Sequence, residues 1–172
     1  VVYNDTNLPF KTVYPNYMDG LTSNGTFNST SSASEMLVVG AYITTTEINS
    51  KSNGAIKVTN KKGTWGTQEG DIAYFSSYGT RYDGIQFPCI AAPGACIESA
   101  YNRYVTYYSG KKCMTKTDTY KGKEYSFCAM KGTSQASPYM AGVAALWLEA
   151  NPNLTHEEIK EIAQKTANND SY

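Results

Sequence analysis

Short apolar runs, an alternating stretch, an apolar helical stretch and an amphipathic one follow one another along the 172 residues of this chain. Residues 1–33 carry no sustained hydrophobic period and are rich in Asn, Ser, Thr, Gly and Pro, which predicts a surface loop. Residues 36–41 form a continuous apolar run, as is typical of a strand buried on both faces of a parallel sheet. Residues 72–75 and 90–92 are further strand candidates, and Pro93-Gly94 ends the second.

Two other stretches favour antiparallel strands. Residues 44–65 are polar and β-leaning, with turn signals at Asn53-Gly54 and Lys62-Gly63, so we expect a hairpin-like insertion. From residue 103 to residue 127, aromatic or β-branched side chains alternate with polar ones, and Ser109-Gly110 and Lys121-Gly122 interrupt the pattern. The alternating side chains are Tyr104, Thr106, Tyr108, Tyr120, Tyr125 and Phe127. This Tyr-rich ribbon either covers the edge of a sheet, which is the simpler interpretation, or binds a ligand.

The end of the chain predicts two helices. Residues 134–150 are apolar around the circumference of a helix about 25 Å long, which is typical of a helix inside a protein. The second helix begins at Thr155, where Thr155 and Glu158 have the spacing of a capping box. Its predicted inward stripe consists of Ile159, Ile162, Ala163 and Thr166.

Candidate chemistry lies where the first of these helices begins, at Gly132-Thr133-Ser134. If Thr133 is the N-cap, the backbone N–H of Ser134 is left free at the positive end of the helix dipole. A hydroxyl there suits a nucleophile whose attack creates an oxyanion, because the same residue can donate a hydrogen bond to it. An ordinary capped helix accounts for the same residues. Gly132-x-Ser134-x-Ala136 also misses the Gly-x-Ser-x-Gly elbow of α/β-hydrolases by one residue.

The charge balance and the apolar stretches of the chain bear on three questions: nucleic-acid binding, membrane spanning and a signal peptide. Lys plus Arg and Asp plus Glu both number 15, so the formal net charge is zero and we expect no nucleic-acid partner. The longest nearly apolar stretch, residues 139–148, is about half the length that a membrane-spanning helix needs. No charged segment followed by an apolar one opens the sequence, so we expect no signal peptide.

Four cysteines, Cys89, Cys96, Cys113 and Cys128, allow three fully paired arrangements. Cys113 and Cys128 flank a predicted hairpin and are therefore the favoured pair, while four free thiols remain an alternative. The chain has no Cys-x-x-Cys spacing and a single histidine, so we predict no zinc site.

Several segments, in order, resemble the motifs of one protease family. Residues 132–146, Gly-Thr-Ser-Gln-Ala-Ser-Pro-Tyr-Met-Ala-Gly-Val-Ala-Ala-Leu, resemble the serine motif of the subtilisin-like proteases, or subtilases. Other subtilase-like blocks are Val38-Val39-Gly40-Ala41, Phe75-Ser76-Ser77-Tyr78-Gly79, Asp83-Gly84 with Pro88-Cys89-Ile90-Ala91-Ala92-Pro93-Gly94, and Asn151-Pro152-Asn153-Leu154-Thr155. The resemblance is strong over residues 70–167 and weaker over residues 34–45.

The resemblance implies a serine endopeptidase that acts on polypeptides. Ser134 is then the acyl-forming nucleophile, its backbone N–H is part of the oxyanion hole, and Thr133 supports that hole. Gln135 stands where the family usually has Met; it neighbours the leaving-group side and is expected to tune specificity. The chemistry requires no cofactor, and although calcium is common in subtilases, no oxygen-rich loop here marks a site. Export, to the outside of the cell or to the cell envelope, is the family-level expectation.

The partners that such a serine needs are missing from this sequence. A subtilase uses a His to take the serine proton and an Asp to orient that His, and in this family both precede the serine. The single histidine, His156, follows Ser134 and lies beside Glu157 and Glu158, so we expect it to face solvent. The chain is therefore expected to be inactive alone, with the N-terminal half of the catalytic domain as its partner.

Together these patterns predict an α/β fold, the C-terminal portion of one subtilase catalytic domain. It would contain the later part of the parallel sheet with covering helices, plus an antiparallel β insertion before the serine helix. The expected segments are a loop-rich lead-in (1–33), strands with an insertion (34–94), a Tyr-rich β-ribbon (95–131), the serine helix (132–150) and a closing helix (155–168). A half-domain exposes sheet edge and core, so self-association is expected when the other half is absent. A non-catalytic protein-binding module and an esterase of the α/β-hydrolase type are the alternative functions.

Overall fold

The structure is a computed structural model that describes residues 35–51, 54–60, 63–64, 66–80, 84–102, 104 and 113–168. The predicted lead-in, residues 1–33, lies outside these ranges, as do Asp83, Thr106 and Tyr108.

The described residues form an α/β fold with nine strands and two helices. The strands are β1 (Val39–Tyr42), β2 (Glu47–Ser50), β3 (Gly54–Lys57), β4 (Gly79–Thr80), β5 (Gln86–Phe87), β6 (Ile90–Pro93), β7 (Ile97–Tyr101), β8 (Met114–Tyr120) and β9 (Lys123–Met130). The helices are α1 (Thr133–Ala150) and α2 (His156–Thr166). β1 and β6 pair in parallel, whereas β2–β3, β4–β5 and β7–β9–β8 are antiparallel.

The centre of the molecule is the parallel pair β1–β6 with α1 packed against it. Small side chains meet there: Ala41 from β1, Ala92 from β6 and Ala136 from α1 are all buried in one cluster. Because these residues carry only a methyl group, the helix can approach the strands closely. The buried hydroxyl Ser76 Oγ accepts the Ala41 N–H at 2.9 Å, and Ala73 N–H donates to Ala41 O at 2.9 Å.

The prediction of a strand at residues 72–75 is wrong. Only Ile72 forms a bridge, to Tyr42, and Tyr74 and Phe75 lie in a turn. Tyr74 N–H donates to Gly66 O at 3.1 Å and Ser76 N–H donates to Ala73 O at 2.7 Å. The N–H groups of Tyr74 and Ser76 therefore do not bond to a neighbouring strand, and the end of the apolar run forms a turn that delivers Ser76 to the core.

Antiparallel strands lie between the parallel pair and the serine helix. β8 and β9 are joined at Lys121-Gly122, and both residues have positive φ, 49° and 72°. Such a two-residue connection matches the twist of the strands that it joins. β7 completes this sheet, although the sequence pattern did not predict a strand at 97–101. A disulfide joins Cys113 to Cys128 on β9, while Cys89 and Cys96 are free thiols.

The closing helix confirms the predicted capping box. Thr155 Oγ1 accepts the Glu158 N–H at 3.3 Å, and Glu158 Oε2 accepts the Thr155 N–H at 2.8 Å. Of the predicted inward stripe, Ala163 is buried and Ile159 and Ile162 are half-buried. Thr166 is exposed, which corrects the prediction, and its hydroxyl donates to Ile162 O at 2.7 Å.

The prediction that α1 is buried on all sides is wrong for this chain. Only Ala136 and Met140 are buried, whereas Tyr139 is 55% and Leu146 is 64% exposed. α1 packs on β1 and β6 with one face, and among the described residues no second layer covers the opposite face. Neither helix in the described ranges is long and apolar enough to cross a membrane.

The disulfide generates a stability prediction. Replacing both Cys113 and Cys128 by Ser should lower the free energy of unfolding by about 3 kcal/mol, because the crosslink restricts the unfolded chain. Denaturant titration of the oxidised chain measures this loss, with Cys89→Ser as the control that removes a free thiol. Equal unfolding midpoints for the double variant and the oxidised parent would contradict the prediction.

Candidate active site

The start of the serine helix is attached to the parallel pair by backbone hydrogen bonds. Gly132 N–H donates to Gly94 O at 2.8 Å, and Gly94 N–H donates to Tyr42 O at 3.0 Å. A Cβ on Gly94 would lie 2.4 Å from Ala41 Cβ and 3.0 Å from Gly132 O. Glycine at position 94 therefore permits the close approach that fixes Gly132, two residues before Ser134, at the end of β6.

The N-cap of α1 is Gly132, not Thr133 as predicted. Gly132 has a φ of 152°, and its carbonyl oxygen accepts N–H groups from Gln135 at 3.0 Å and Ala136 at 3.4 Å. A positive φ is strained for residues with a side chain, so the bend from β9 into α1 selects glycine. Thr133 becomes the first helical residue, and no side chain caps this end of the helix.

Ser134 lies in the uncapped first turn of α1 and is exposed. Within the described residues, neither its backbone N–H nor that of Thr133 has an acceptor. Unpaired N–H groups at a helix N-terminus attract negative charge, because the helix dipole is positive there. The arrangement places a hydroxyl and an open backbone donor on the same residue, as attack on a carbonyl requires.

Pro138 changes the hydrogen bonding of the same turn. It lies inside α1 and has no N–H, so the carbonyl of Ser134, four residues earlier, receives no helical hydrogen bond from it. The first turn of α1 thus lacks the i to i+4 hydrogen bond that would end at the Ser134 carbonyl.

The side chains flanking Ser134 contact residues from elsewhere in the fold. Gln135 Nε2 lies 3.8 Å from Met130 Sδ, and Gln135 Oε1 lies over Gly132, so the Gln135 side chain folds back toward the end of β9. Lys131 Nζ donates to Tyr74 Oη at 3.2 Å and lies 5.4 Å from the centre of the Tyr74 ring. Burial raises the pKa of the nearby Cys96 thiol, while the Lys131 ammonium opposes that rise.

His156 is a surface residue, as predicted. Its side chain is 53% exposed, and its Nε2 lies 2.9 Å from Glu157 Oε1. Ser134 is the second residue of α1, whereas His156 follows the C-terminal end of this helix, whose 18 residues span about 27 Å. The structure therefore brings Thr133, Ser134 and Gln135 together without His156.

Sequence reasoning missed two features of this site. Pro93-Gly94 marked the end of a strand, but nothing local showed that Gly94 would meet Gly132. The contact between Lys131 and Tyr74 had no sequence signal, because the two residues are 57 positions apart.

Comparison with known proteins identifies the class. The sequence profile of the subtilase family matches residues 6–172. The chain therefore belongs to the subtilase family.

Individual relatives agree with this assignment. Serine protease AprX of Bacillus subtilis (strain 168) is 39% identical over 93 residues, which are 53% of this chain and 19% of that protein. Subtilisin-like protease SBT1.9 of Arabidopsis thaliana is 33% identical over 122 residues, 69% of this chain and 16% of that protein. The matched region is thus a small part of each relative's length. No solved structure matches the chain.

The glycine contact predicts a contrast between two Gly→Ala variants. Gly94→Ala should lower the free energy of unfolding by about 1–3 kcal/mol, because the new methyl group overlaps Ala41. Gly142→Ala is the matched control: its Cβ meets nothing within 4 Å, and alanine favours a helix over glycine by up to about 1 kcal/mol. Thermal unfolding compares the two. A Gly94→Ala variant as stable as Gly142→Ala would contradict the role of the contact.

Proposed function

We propose that this chain supplies the nucleophilic serine, Ser134, of a subtilisin-like endopeptidase. The observation that carries the proposal is the exposed Ser134 hydroxyl in an uncapped helix turn whose backbone N–H groups have no acceptor within the described residues. Membership of the subtilase family supports the same chemistry, and relatives such as AprX are named as serine proteases.

In the proposed reaction, Ser134 Oγ attacks the carbonyl carbon of the scissile peptide bond and its proton passes to a histidine. The Ser134 N–H donates to the oxyanion, and Thr133 supports this part of the oxyanion hole. When the carbon–nitrogen bond breaks, the amine takes the proton and an acyl-enzyme remains, which water then hydrolyses. Serine, histidine and aspartate suffice for these steps, so no cofactor is required.

The histidine and the aspartate come from another polypeptide segment, the N-terminal half of the catalytic domain. The only histidine in this sequence is His156, which is paired with Glu157 beyond the far end of α1. A serine without a base is a weak nucleophile, so the chain alone is inactive.

The exposed face of α1 supports the same partner. Tyr139, Leu146 and Leu148 are exposed on this helix, next to small residues that permit close packing. In the proposed complete domain, β1 and β6 belong to the later part of a larger parallel sheet, and the N-terminal half covers α1. Without that half, the same apolar surface drives self-association.

The alternative functions rest on weaker support. A non-catalytic binding module would use the ribbon, where Tyr104 and Tyr120 are exposed. An α/β-hydrolase would need a strand leading into a Gly-x-Ser-x-Gly elbow, but position 136 is Ala, and β9 is antiparallel to both of its neighbours.

An extracellular or cell-envelope location accompanies the proposed function. The disulfide between Cys113 and Cys128 supports it, because disulfides persist mainly in oxidising compartments.

Labelling by a fluorophosphonate probe tests the proposed function. We expect Ser134 to be labelled when the chain is combined with the polypeptide that carries the catalytic aspartate and histidine. Ser134→Ala should abolish labelling and peptide hydrolysis, whereas Ser137→Ala, one turn further along the exposed part of α1, should retain both. Mass spectrometry of the labelled peptide identifies the residue.

Two outcomes would overturn the proposal. Strong labelling of the isolated chain would show that the base lies within it, and a His156→Ala variant would then identify an esterase of the hydrolase type. Labelling that survives Ser134→Ala would remove Ser134 from the reaction.

A further inference from the structure

The Lys131 ammonium group, on the residue three positions before Ser134, is held in place by Tyr74. Its ammonium group donates to Tyr74 Oη at 3.2 Å and lies over the Tyr74 ring, 5.4 Å from the ring centre. An exposed lysine normally samples many rotamers, and ordering it costs side-chain entropy. The hydroxyl and the ring face of Tyr74 restrict this freedom. Tyr74 is itself held, since its ring packs edge-on against Phe75 and its backbone N–H is bonded to Gly66.

The charge of Lys131 is not neutralised within the described part of the chain. No carboxylate there lies within ion-pair distance of its Nζ, although other lysines have such partners, as Lys57 has Glu47 and Lys116 has Glu98. No acidic residue occurs between Met130 and Leu148, and the open N-terminus of α1 adds positive potential. The segment that carries Ser134 therefore contributes a positive charge and no negative one.

Lys131 is also near enough to act on a bound substrate. It precedes Ser134 by three residues, so their Cα atoms are at most about 11 Å apart. Charges interact over about 8 Å at physiological ionic strength. We therefore expect the Lys131 ammonium to act on a carboxylate that adjoins the scissile bond when that bond lies on Ser134.

We propose that Lys131 is a specificity-determining residue that favours polypeptide substrates with an Asp or Glu beside the scissile bond. Tyr74 is its positioning residue, because the phenol and ring hold the ammonium in place. This inference rests on the proposed function of Ser134. It adds a substrate class to that function.

The expected preference is modest because the ammonium is exposed. A solvent-exposed ion pair changes affinity by about two- to five-fold, and salt weakens it further. The signature is thus a small charge preference that disappears at high ionic strength, and not an absolute requirement for an acidic residue.

The test uses the complete catalytic domain and matched fluorogenic peptides. Each pair of peptides carries either Asp or Asn at one position within three residues of the cleaved bond. At low salt we expect the Asp peptide to have a kcat/KM about two- to five-fold higher at one or more of these positions. In 1 M NaCl the ratio should approach one, because the Debye length falls to about 3 Å.

Three variants locate the effect. Lys131→Met should bring the Asp-to-Asn ratio to one at low salt, and Tyr74→Phe should lower it, because the hydroxyl acceptor is lost while the ring remains. Lys123→Met is the matched control: this lysine is exposed at the opposite end of β9, and its removal should leave the ratio unchanged.

The results separate this inference from the proposed function. Ser134-dependent hydrolysis with equal rates for Asp and Asn peptides would overturn the role of Lys131 and leave the nucleophile assignment intact. A preference that persists in Lys131→Met would assign it to another residue and also overturn the inference. An unchanged ratio in Tyr74→Phe would overturn the positioning role of Tyr74. Loss of all hydrolysis upon Lys131→Met alone, with Ser134 still labelled, would instead make Lys131 essential and contradict a preference.

Discussion

The hydrogen bond from Gly132 N–H to Gly94 O is the constraint on which the site depends. It joins the end of β6 to the residue that begins the serine helix, and it requires two backbones to approach where even one methyl group would overlap Ala41. Because Gly94 is also bonded to Tyr42, the parallel pair and the helix start form one unit. The position of Ser134 thus follows from strand packing.

The chemistry available at Ser134 follows from the backbone groups that lack hydrogen-bond partners at the start of α1. Glycine at the N-cap has no side chain to accept the first N–H groups, and Pro138 has no N–H to offer the Ser134 carbonyl. Most helix ends satisfy these groups with a capping side chain, as Thr155 and Glu158 do at the start of α2. The two helices thus differ: the first N–H groups of α2 are bonded by its own capping residues, whereas no side chain caps α1.

The surroundings of Ser134 combine segments that are distant in the sequence. Tyr74 reaches Lys131 from a turn that precedes β6, while β9 delivers Met130 to the side chain of Gln135. The exposed face of α1 shows the opposite situation, an apolar surface without a layer over it in the described structure. Within the described residues, α1 therefore packs against the strands with one face only.

The sequence alone determined features that arise from contacts between near neighbours. Thr155 and Glu158 are one helical turn apart, and the Lys121-Gly122 turn requires only its own dihedral angles, so both were predictable. The serine motif likewise identified the family, which the family profile confirms. Residues 72–75 were mispredicted as a strand because an apolar run does not specify whether its backbone pairs with a neighbour or closes a turn. The N-cap at Gly132 and the contact of Lys131 with Tyr74 were decided only by the tertiary structure, since each depends on the approach of residues that are far apart in the chain.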